Sequence, residues 1–432
     1  MPVARATWQK LAGLGIGWYA TAVLLLAATM PVRFTPPGLG RSISVFDVAI
    51  AVLIVPMEVL VRRQGWPRIP RPYLVLAVLM LGLGALSLAW SVDRGDTLVH
   101  VVVSIESLLA FACAMVFLRD VDERGWHRWL QFFTVLLVVP GLLLWLGVPG
   151  FQPPAEVDPR SGDYWSYFVR LSHPYIGRSN NLAALLMLMV VPLGRWAMRT
   201  RKAWDIAAAL IAAVALILTF GRGAMVALVL ALGLFMVVDR SLRRQILKAL
   251  RWAIPVLVIA VVIGALNPLT RQLIAVRLSL ANIEARLTLL AGFWSDLGRH
   301  WLLGSGAGTG VDVHNTYAQQ LLSFGIPGGL AVIVALGWTG VWWFRGSAET
   351  RPVVSRVFGI GVVALLLSFA VESSFEGNLL RPLIWLVWGL LVTLAVWPSR
   401  RVIPPGDTSS WTSWPVRRGA PADSGSETAP SA

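Results

Sequence analysis

The sequence has a single cysteine and few charged residues. Cys113 is the only cysteine among 432 residues, which excludes a disulfide framework and a cysteine-based metal site. The five histidines show no metal-ligand spacing, so no metal site is predicted. Charged residues make up 14% of the chain, against about 25% in soluble domains. Hydrophobic residues make up 56% and occur in long blocks, which indicates an all-α polytopic membrane protein.

Twelve apolar blocks qualify as membrane spans, since a span needs roughly 20 mainly apolar residues. The seventh and eighth blocks are separated only by residues 219–222, which predicts a tight helical hairpin. The tenth contains Gly325 and Pro327 and is expected to kink or break, because proline removes a backbone donor. The predicted spans are 11–30, 43–61, 73–90, 98–118, 129–148, 181–198, 204–220, 223–238, 252–266, 316–344, 353–371 and 379–397.

Basic residues lie between the apolar blocks and predict their orientation. With the N-terminus in the cytoplasm, 25 of the 37 basic residues fall in cytoplasmic segments and 12 in outer segments. This distribution follows the positive-inside rule and predicts an inner-membrane protein with both termini in the cytoplasm. The net charge of +15 does not favour nucleic-acid binding, because the basic residues do not cluster on one soluble face.

The chain divides into three predicted regions. Residues 1–170 contain the first five spans and the first long outer loop, and residues 171–397 contain the other seven spans. Residues 398–432 are rich in Pro, Ser and Gly and are expected to form a disordered cytoplasmic tail. The outer loops 149–180 and 267–315 are long, and function is expected there because the other loops are short.

Three arginines are expected at the outer face, against the usual charge asymmetry. Arg178 precedes the sixth span, Arg222 caps the predicted hairpin, and Arg286 lies in loop 267–315. A guanidinium has planar paired donors that suit phosphate oxygens, so a cluster of these arginines would suit a diphosphate. The alternative is that each arginine caps helix carbonyls or reaches lipid headgroups.

Other polar residues have two interpretations each. His314 and Asn315 directly precede the tenth span. An imidazole can take a proton from a hydroxyl nucleophile, which would make His314 a catalytic base. The alternative is that His314 is a polar residue with its hydrogen bonds satisfied, which is more common for a lone histidine. The stretch 304–310 lacks the Gly-Lys-Ser/Thr ending of a P-loop, which favours a flexible or tightly turning segment. Glu106 and Asp47 lie within predicted spans, where acids are either functional or hydrogen-bonded between helices.

Four motifs resemble those of the bacterial O-antigen ligase and O-antigen polymerase superfamily. His314 and Asn315, followed after nine residues by Gly325-Ile326-Pro327-Gly328, resemble the His-Asn-x9-Gly-x-x-Gly motif of the ligases. The resemblance covers roughly residues 170–390, and the first five spans match only in hydrophobicity. The other motifs are Arg286-Leu287-Thr288-Leu289-Leu290, similar to the Arg-x3-Leu element of the large periplasmic loop; Phe220-Gly221-Arg222-Gly223-Ala224, similar to a Ser-Arg-Gly turn; and Gly177-Arg178-Ser179-Asn180-Asn181-Leu182-Ala183, similar to Asn-Pro-Asn-x-Leu-Ala with Ser and Asn where Asn-Pro is common.

The resemblance implies a GT-C-like fold and a metal-independent, inverting glycosyltransferase that needs no cofactor. Its donor would be a glycan on undecaprenyl diphosphate, bound through Arg222, Arg286 and Arg178, with Asn315 also contacting substrate. His314 would position or deprotonate the acceptor hydroxyl. The favoured hypothesis is an O-antigen ligase, whose acceptor is lipid A–core. The alternative within the superfamily is a polymerase that extends lipid-linked O-antigen or exopolysaccharide repeats. A third hypothesis, outside the glycosyltransferases, is a secondary transporter or flippase.

Overall fold

In the computed structural model of the chain, the described residues are helical apart from loops and one short strand pair, which confirms the predicted all-α class. The structure describes residues 43–119, 121, 123–152, 167–168, 170–173, 179–238, 240–266, 268, 281–308, 315–345, 353–371 and 382–396, together with residues 23, 27, 33 and 34. The predicted tail at 398–432 and, apart from Val23 and Ala27, the predicted first span at 11–30 lie outside the described residues.

Thirteen helices occupy the described ranges after two strands, β1 (Arg33–Phe34) and β2 (Ile43–Ser44), that pair antiparallel. The helices are α1 (Val45–Gln64), α2 (Arg71–Ser87), α3 (Arg94–Phe117), α4 (Glu123–Trp145), α5 (Ser179–Thr200), α6 (Ala203–Leu218), α7 (Arg222–Val238), α8 (Arg240–Leu250), α9 (Ala253–Leu266), α10 (Ala281–Arg299), α11 (Thr316–Arg345), α12 (Val353–Val371) and α13 (Pro382–Val396).

The helices coincide with the second to twelfth predicted spans, and two more helices, α8 and α10, are not predicted. Within the described residues, four helical stretches are long and apolar enough to cross a membrane, and six apolar stretches of 10–17 residues accompany them. The four long stretches are Arg94–Phe117, Gly125–Trp145, Ser179–Thr200 and Thr316–Phe344.

Helix α12 lies at the centre of the second half of the bundle, where it packs against α5, α7, α11 and α13. Apart from Arg356 near its start and two serines, its sequence is apolar on every face, as expected for a helix buried on more than one face. Small residues allow close approach: a β-carbon added at Gly361 would lie 3.1 Å from the α-carbon of Leu188 in α5. In the first half, α3 packs most extensively against α13, and the rings of Phe111 and Trp385 meet edge to face at 5.9 Å.

Large apolar side chains are exposed along α1, α7, α9 and α11. Examples are Val52, Val229, Val261 and Val334, each of which projects from its helix without being covered by the protein. Soluble monomers rarely expose contiguous apolar patches larger than a few hundred Å². Such a surface is suited to contact with lipid acyl chains, while the helices satisfy their own backbone hydrogen bonds.

Helix α11 is broken at Gly325, as the sequence predicts. Gly325 has φ 68° and ψ 179°, a backbone conformation that is essentially restricted to glycine. Pro327 has no N–H group to donate to the carbonyl of Ser323, four residues earlier. The break also separates the Leu322 carbonyl from the Ile326 N–H, which would be its donor in an unbroken helix. Two backbone carbonyls would therefore lack helical partners.

Loop 300–308 supplies the missing partners. The Ser305 N–H donates to the Leu322 carbonyl at 2.8 Å, and the Gly306 N–H donates to the Ser323 carbonyl at 3.1 Å. The Ile326 N–H, freed by the same break, donates to a carbonyl of this loop at 2.7 Å. The backbone groups at the break are thus satisfied. The described part of the glycine-rich stretch, residues 304–308, forms a tight turn. The prediction of a tightly turning segment is therefore confirmed over these residues.

The same loop is bound to the turn between α2 and α3. The Val92 N–H donates to the Ser305 carbonyl at 3.0 Å, and the Thr97 hydroxyl donates to the Ala307 carbonyl at 2.8 Å. Asp93 caps the start of α3 by accepting a hydrogen bond from the Asp96 N–H at 3.0 Å. The loop therefore links the broken helix to the first half of the bundle.

Gly325→Ala is expected to destabilise the protein by at least about 2 kcal/mol, because alanine disfavours this backbone conformation. The new β-carbon would also lie 2.8 Å from the Leu303 nitrogen. Gly337→Ala, in the same helix with open space around it, is the matched control and should be neutral or stabilising. Thermal unfolding in detergent measures both. Equal melting temperatures for the two variants would contradict the account of the break.

Candidate functional site

Helices α5, α7 and α11 begin at the end of the bundle where α12 finishes, which we call the upper end. Gly361 lies ten residues before the end of α12 and packs on Leu188, nine residues after the start of α5. The Tyr317 hydroxyl, in the first turn of α11, donates to the Leu366 carbonyl of α12 at 2.7 Å. At 1.5 Å per residue, these contacts bring the starts of α5 and α11 level with the end of α12.

The start of helix α7 is also level with the end of α12. A β-carbon at Gly359 of α12 would lie 3.5 Å from the ring of Phe235, thirteen residues after the start of α7. Gly359 is twelve residues before the end of α12, so Arg222, the first residue of α7, lies level with that end. The N-terminus of a helix carries unpaired N–H groups and a partial positive charge. Three such ends therefore face the upper end of the bundle.

A short turn, residues 219–221, joins α6 and α7 as predicted, but the two helices do not pack against each other as a tight hairpin; each of them packs on α5 instead. The turn also lies on the start of α5, because a β-carbon at Gly221 would lie 2.9 Å from the Ala183 β-carbon. Phe220 has φ 51°, a left-handed conformation that costs a non-glycine residue about 1–3 kcal/mol and is frequent at functional sites. Arg222 follows this strained turn with an exposed side chain. The guanidinium is therefore available to a ligand at the upper end.

Residues 170–173 form a buried segment that the sequence analysis does not single out. The Leu171 N–H donates to the Leu218 carbonyl at the end of α6, at 3.0 Å. The Arg170 side chain is buried, and its Nη1 donates to the Ser179 hydroxyl at the start of α5, at 3.3 Å. Arg170 is therefore a second arginine at the upper end. The available signal is that Arg170, like Arg178, departs from the positive-inside rule within loop 149–180.

Several buried polar atoms at the upper end have no hydrogen-bond partner among the described residues. A buried unsatisfied group costs about 1–3 kcal/mol and needs a water or ligand to satisfy it. Gln319 is 3% exposed, and both its amide nitrogen and its amide oxygen lack partners. The unsatisfied atoms at the upper end are Ser172 Oγ, Asn180 Oδ1, Thr316 Oγ1, and Gln319 Nε2 and Oε1. This end therefore has both cationic groups and unused hydrogen-bonding capacity.

Asn315 has a structural role at the start of α11. Its side-chain oxygen accepts hydrogen bonds from the N–H groups of Tyr317 and Ala318, at 3.0 and 3.1 Å. This is an N-cap, which typically stabilises a helix by about 1 kcal/mol. The substrate-binding role predicted for Asn315 stays a prediction.

The remaining predicted residues are only partly described. Arg178 and His314 lie outside the described residues, although in sequence they adjoin Ser179 and Asn315. The backbone of Arg286 belongs to α10, and its side chain lies outside the description. Glu106 and Asp47 lie in α3 and α1, where each has a hydrogen-bonded or electrostatic partner. Of the predicted arginines, Arg222 is therefore the one that the structure assigns to the upper end.

No family model matches the chain, and a search of curated proteins also finds no match. The likeness to O-antigen ligases consequently rests on the four sequence motifs.

The burial of His173 can be tested through the pH dependence of the protein's stability. Burial lowers the pKa of His173 from 6.5 to about 4, although a hydrogen bond from Nε2 to the Leu136 carbonyl, at 3.3 Å, opposes that shift. Because the folded-state pKa is below the unfolded value, His173 leaves stability intact above pH 6.5 and reduces it as the pH falls towards 4. The loss is about 3 kcal/mol at pH 4.

His173→Gln keeps a neutral donor for Leu136 and is expected to reduce this acid destabilisation. Melting temperatures between pH 7 and pH 4.5, in detergent, measure the difference from wild type. His300→Gln removes an exposed histidine and serves as the control, with a pH dependence like that of wild type. A His173→Gln variant that loses stability with acid as steeply as wild type would contradict the buried, neutral imidazole.

Proposed function

We propose that the chain is a multi-pass inner-membrane glycosyltransferase of the O-antigen ligase type, with a GT-C-like fold of twelve spans. It transfers a glycan from undecaprenyl diphosphate to a hydroxyl of lipid A–core on the periplasmic face. The observation that carries the proposal is that three helix N-termini lie level with one another at the upper end, where Arg170 is bound to the start of α5 and the turn before Arg222 packs on α5. Helix N-termini and guanidinium groups both favour phosphate oxygens.

Contacts between connecting segments support the proposed topology. The Arg119 side chain donates to the Gly65 carbonyl at 3.3 Å, and the Gln131 amide donates to Asp205 at 2.5 Å. Both contacts join ends of helices that the positive-inside rule assigns to the cytoplasm. The loop contact between Val92 and Ser305 joins two segments that the same rule assigns to the outside, and the Leu171 contact with Leu218 also belongs to the outer side. The upper end therefore corresponds to the periplasmic face in the proposal.

The proposed reaction is a single displacement. The acceptor oxygen attacks the anomeric carbon of the donor glycan, and the bond from that carbon to the phosphate oxygen breaks with inversion. The electron pair leaves on undecaprenyl diphosphate, and the hydroxyl proton passes to the imidazole of His314. Arg222 and Arg286, with Arg178, stabilise the charge that grows on the leaving diphosphate, each by about 3–4 kcal/mol.

The buried segment extends this assignment. Arg170 holds Ser179 at the start of α5, so it fixes the residue that follows Arg178 in the chain. The unsatisfied atoms of Thr316 and Gln319 lie within five residues of His314, on the first turns of α11. An amide that can both donate and accept suits a sugar hydroxyl, which does the same. These groups are therefore proposed to contact the glycan or the acceptor near the transferred bond.

Arg222→Ala is expected to lower the turnover number for glycan transfer by about 100-fold or more, because it removes a donor to the leaving diphosphate. The assay uses purified protein, a defined undecaprenyl-diphosphate glycan and two acceptors, lipid A–core and a second lipid-linked glycan. Arg94→Ala is the matched control, since Arg94 is also the first, exposed residue of a helix on the proposed outer side.

Transfer at the wild-type rate by Arg222→Ala would remove this residue from the diphosphate site. Transfer of the glycan to lipid A–core identifies a ligase. Growth of the lipid-linked glycan without attachment to lipid A–core would instead identify a polymerase.

His314→Ala is expected to reduce turnover strongly while the Kd for the donor stays within about threefold of wild type. The reason is that a general base contributes typically 10²–10⁴-fold to the chemical step rather than to donor binding. Single-turnover rates and donor titration separate the two quantities. His300→Gln, which changes an exposed histidine of the same outer loop, should leave both unaffected. Unchanged turnover in His314→Ala would exclude it as the base.

A further inference from the structure

Helix α8 is a short basic helix between two apolar ones. Residues 240–251 contain five basic residues and no acidic residue. The side chains of Arg243, Arg244, Lys248 and Arg251 are exposed. From hydropathy and the positive-inside rule, this segment is expected to be only a cytoplasmic connection. Its helical form arranges the charges along one face.

The opposite face of α8 is fixed to the bundle. Ile246 is buried, and α8 packs against α5, α7 and α9. The Nε of Arg195 in α5 donates to the Gln245 side-chain oxygen at 3.3 Å, which also holds the helix in place. The helix is therefore a docked element of the structure, and its basic face points away from the other helices.

The basic face has no anionic partner within the described part of the chain. Arg244 and Lys248 are four residues apart on α8, so these like charges are neighbours on the helix surface and repel, and Arg251 follows in the turn after the helix. The ion pairs among the described residues are Arg62–Glu58 and Arg299–Asp296, and neither involves α8. A docked helix that, with the turn after it, keeps four exposed cations close together is suited to an external polyanionic surface.

The flanking residues place this face beside the apolar surface. Val237, three residues before α8, is 82% exposed, and Ile254, four residues after its end, is 70% exposed. Trp252 is also exposed between α8 and α9, and tryptophan is enriched at the headgroup level of bilayers. Leu247 is exposed among the basic residues. Both ends of α8 therefore lie within a few residues of side chains suited to acyl chains.

We propose that α8 binds the headgroups of anionic phospholipids at the cytoplasmic surface of the membrane. The arginine and lysine side chains contact lipid phosphates, while Leu247 and Trp252 enter the boundary between headgroups and acyl chains. The exposed apolar residues on both sides favour a lipid surface over an acidic protein, which would have to bind next to lipid. The proposal rests on the membrane placement in the proposed function and is independent of glycan transfer.

The test measures which lipids the full-length protein retains. Purified protein is inserted into bilayers of phosphatidylcholine with phosphatidylglycerol, extracted gently, and analysed for bound lipid by native mass spectrometry. The triple variant Arg243→Gln, Arg244→Gln, Lys248→Gln is expected to lower the ratio of bound phosphatidylglycerol to phosphatidylcholine by at least about tenfold. The wild-type ratio is expected to fall as salt rises.

Two variants control for charge and folding. Arg63→Gln, Arg68→Gln, Arg71→Gln removes three exposed charges from the end of α1, the connection that follows it and the start of α2, on the same proposed side. This variant should change the ratio by less than about twofold. Arg243→Lys, Arg244→Lys keeps the charges and should retain the lipid. Melting temperatures near that of wild type verify that the variants are folded.

Wild-type lipid retention by the α8 triple variant would overturn the proposal. An equal loss in the α1–α2 control would also overturn it, because retention would then follow total charge rather than α8. Loss of binding to a purified acidic protein, with lipid retention unchanged, would assign the helix to that partner instead. Failure of wild-type protein to insert would overturn the membrane placement and this proposal together. Absence of glycan transfer with normal lipid retention would count against the proposed function alone.

Discussion

Close packing around α12 is the constraint on which the arrangement of the upper end depends. Gly359 and Gly361 let α7 and α5 approach the α12 backbone, and the Tyr317 hydroxyl joins α11 to it. Because helices rise by a constant distance per residue, fixing these mid-helix contacts also fixes the level of each helix end. The N-termini of α5, α7 and α11 thereby lie at the level where α12 finishes. The level of these helix ends is thus a consequence of packing several turns below them. A β-carbon at Gly361 would lie 3.1 Å from Leu188, so α5 would have to shift, whereas a β-carbon at Gly359 would make ordinary contact with Phe235 at 3.5 Å.

The broken helix α11 shows how an irregular backbone is accommodated beside the same region. The break frees the carbonyls of Leu322 and Ser323, and N–H groups of loop 300–308 take the place of the helical donors. In lipid no water is present to satisfy such groups, so a broken span needs protein partners. The loop also binds the α2–α3 turn, which connects the two halves of the bundle. The glycine-rich composition of this loop therefore has a structural explanation in the residues that the structure describes, and no phosphate-binding role is required for it.

Much of the fold is predictable from apolar blocks, because each membrane crossing needs its own run of apolar residues. The break in α11 follows from Pro327, and the short turn before Arg222 follows from the few residues between two blocks. The expected packing of α6 on α7 is wrong, because both helices pack on α5 instead. Helix α8 is not predictable from hydropathy, since its basic residues outweigh its apolar ones and its 3.6-residue pattern is short. Arg170 is missed for a different reason: its burial depends on a backbone hydrogen bond between Leu171 and Leu218, which are far apart in sequence and brought together only by tertiary packing.

The central claim is that the upper end of the bundle recognises a lipid diphosphate through its charge. Equilibrium binding of undecaprenyl diphosphate and of undecaprenol to the purified protein tests it most directly, because the two ligands share a chain and differ in the diphosphate. Two charge-assisted hydrogen bonds at about 1.5–3 kcal/mol each would make the diphosphate bind about 100-fold more tightly or better. Equal dissociation constants for the two ligands would show that the arginines and helix ends at the upper end do not bind the diphosphate, and would contradict the account.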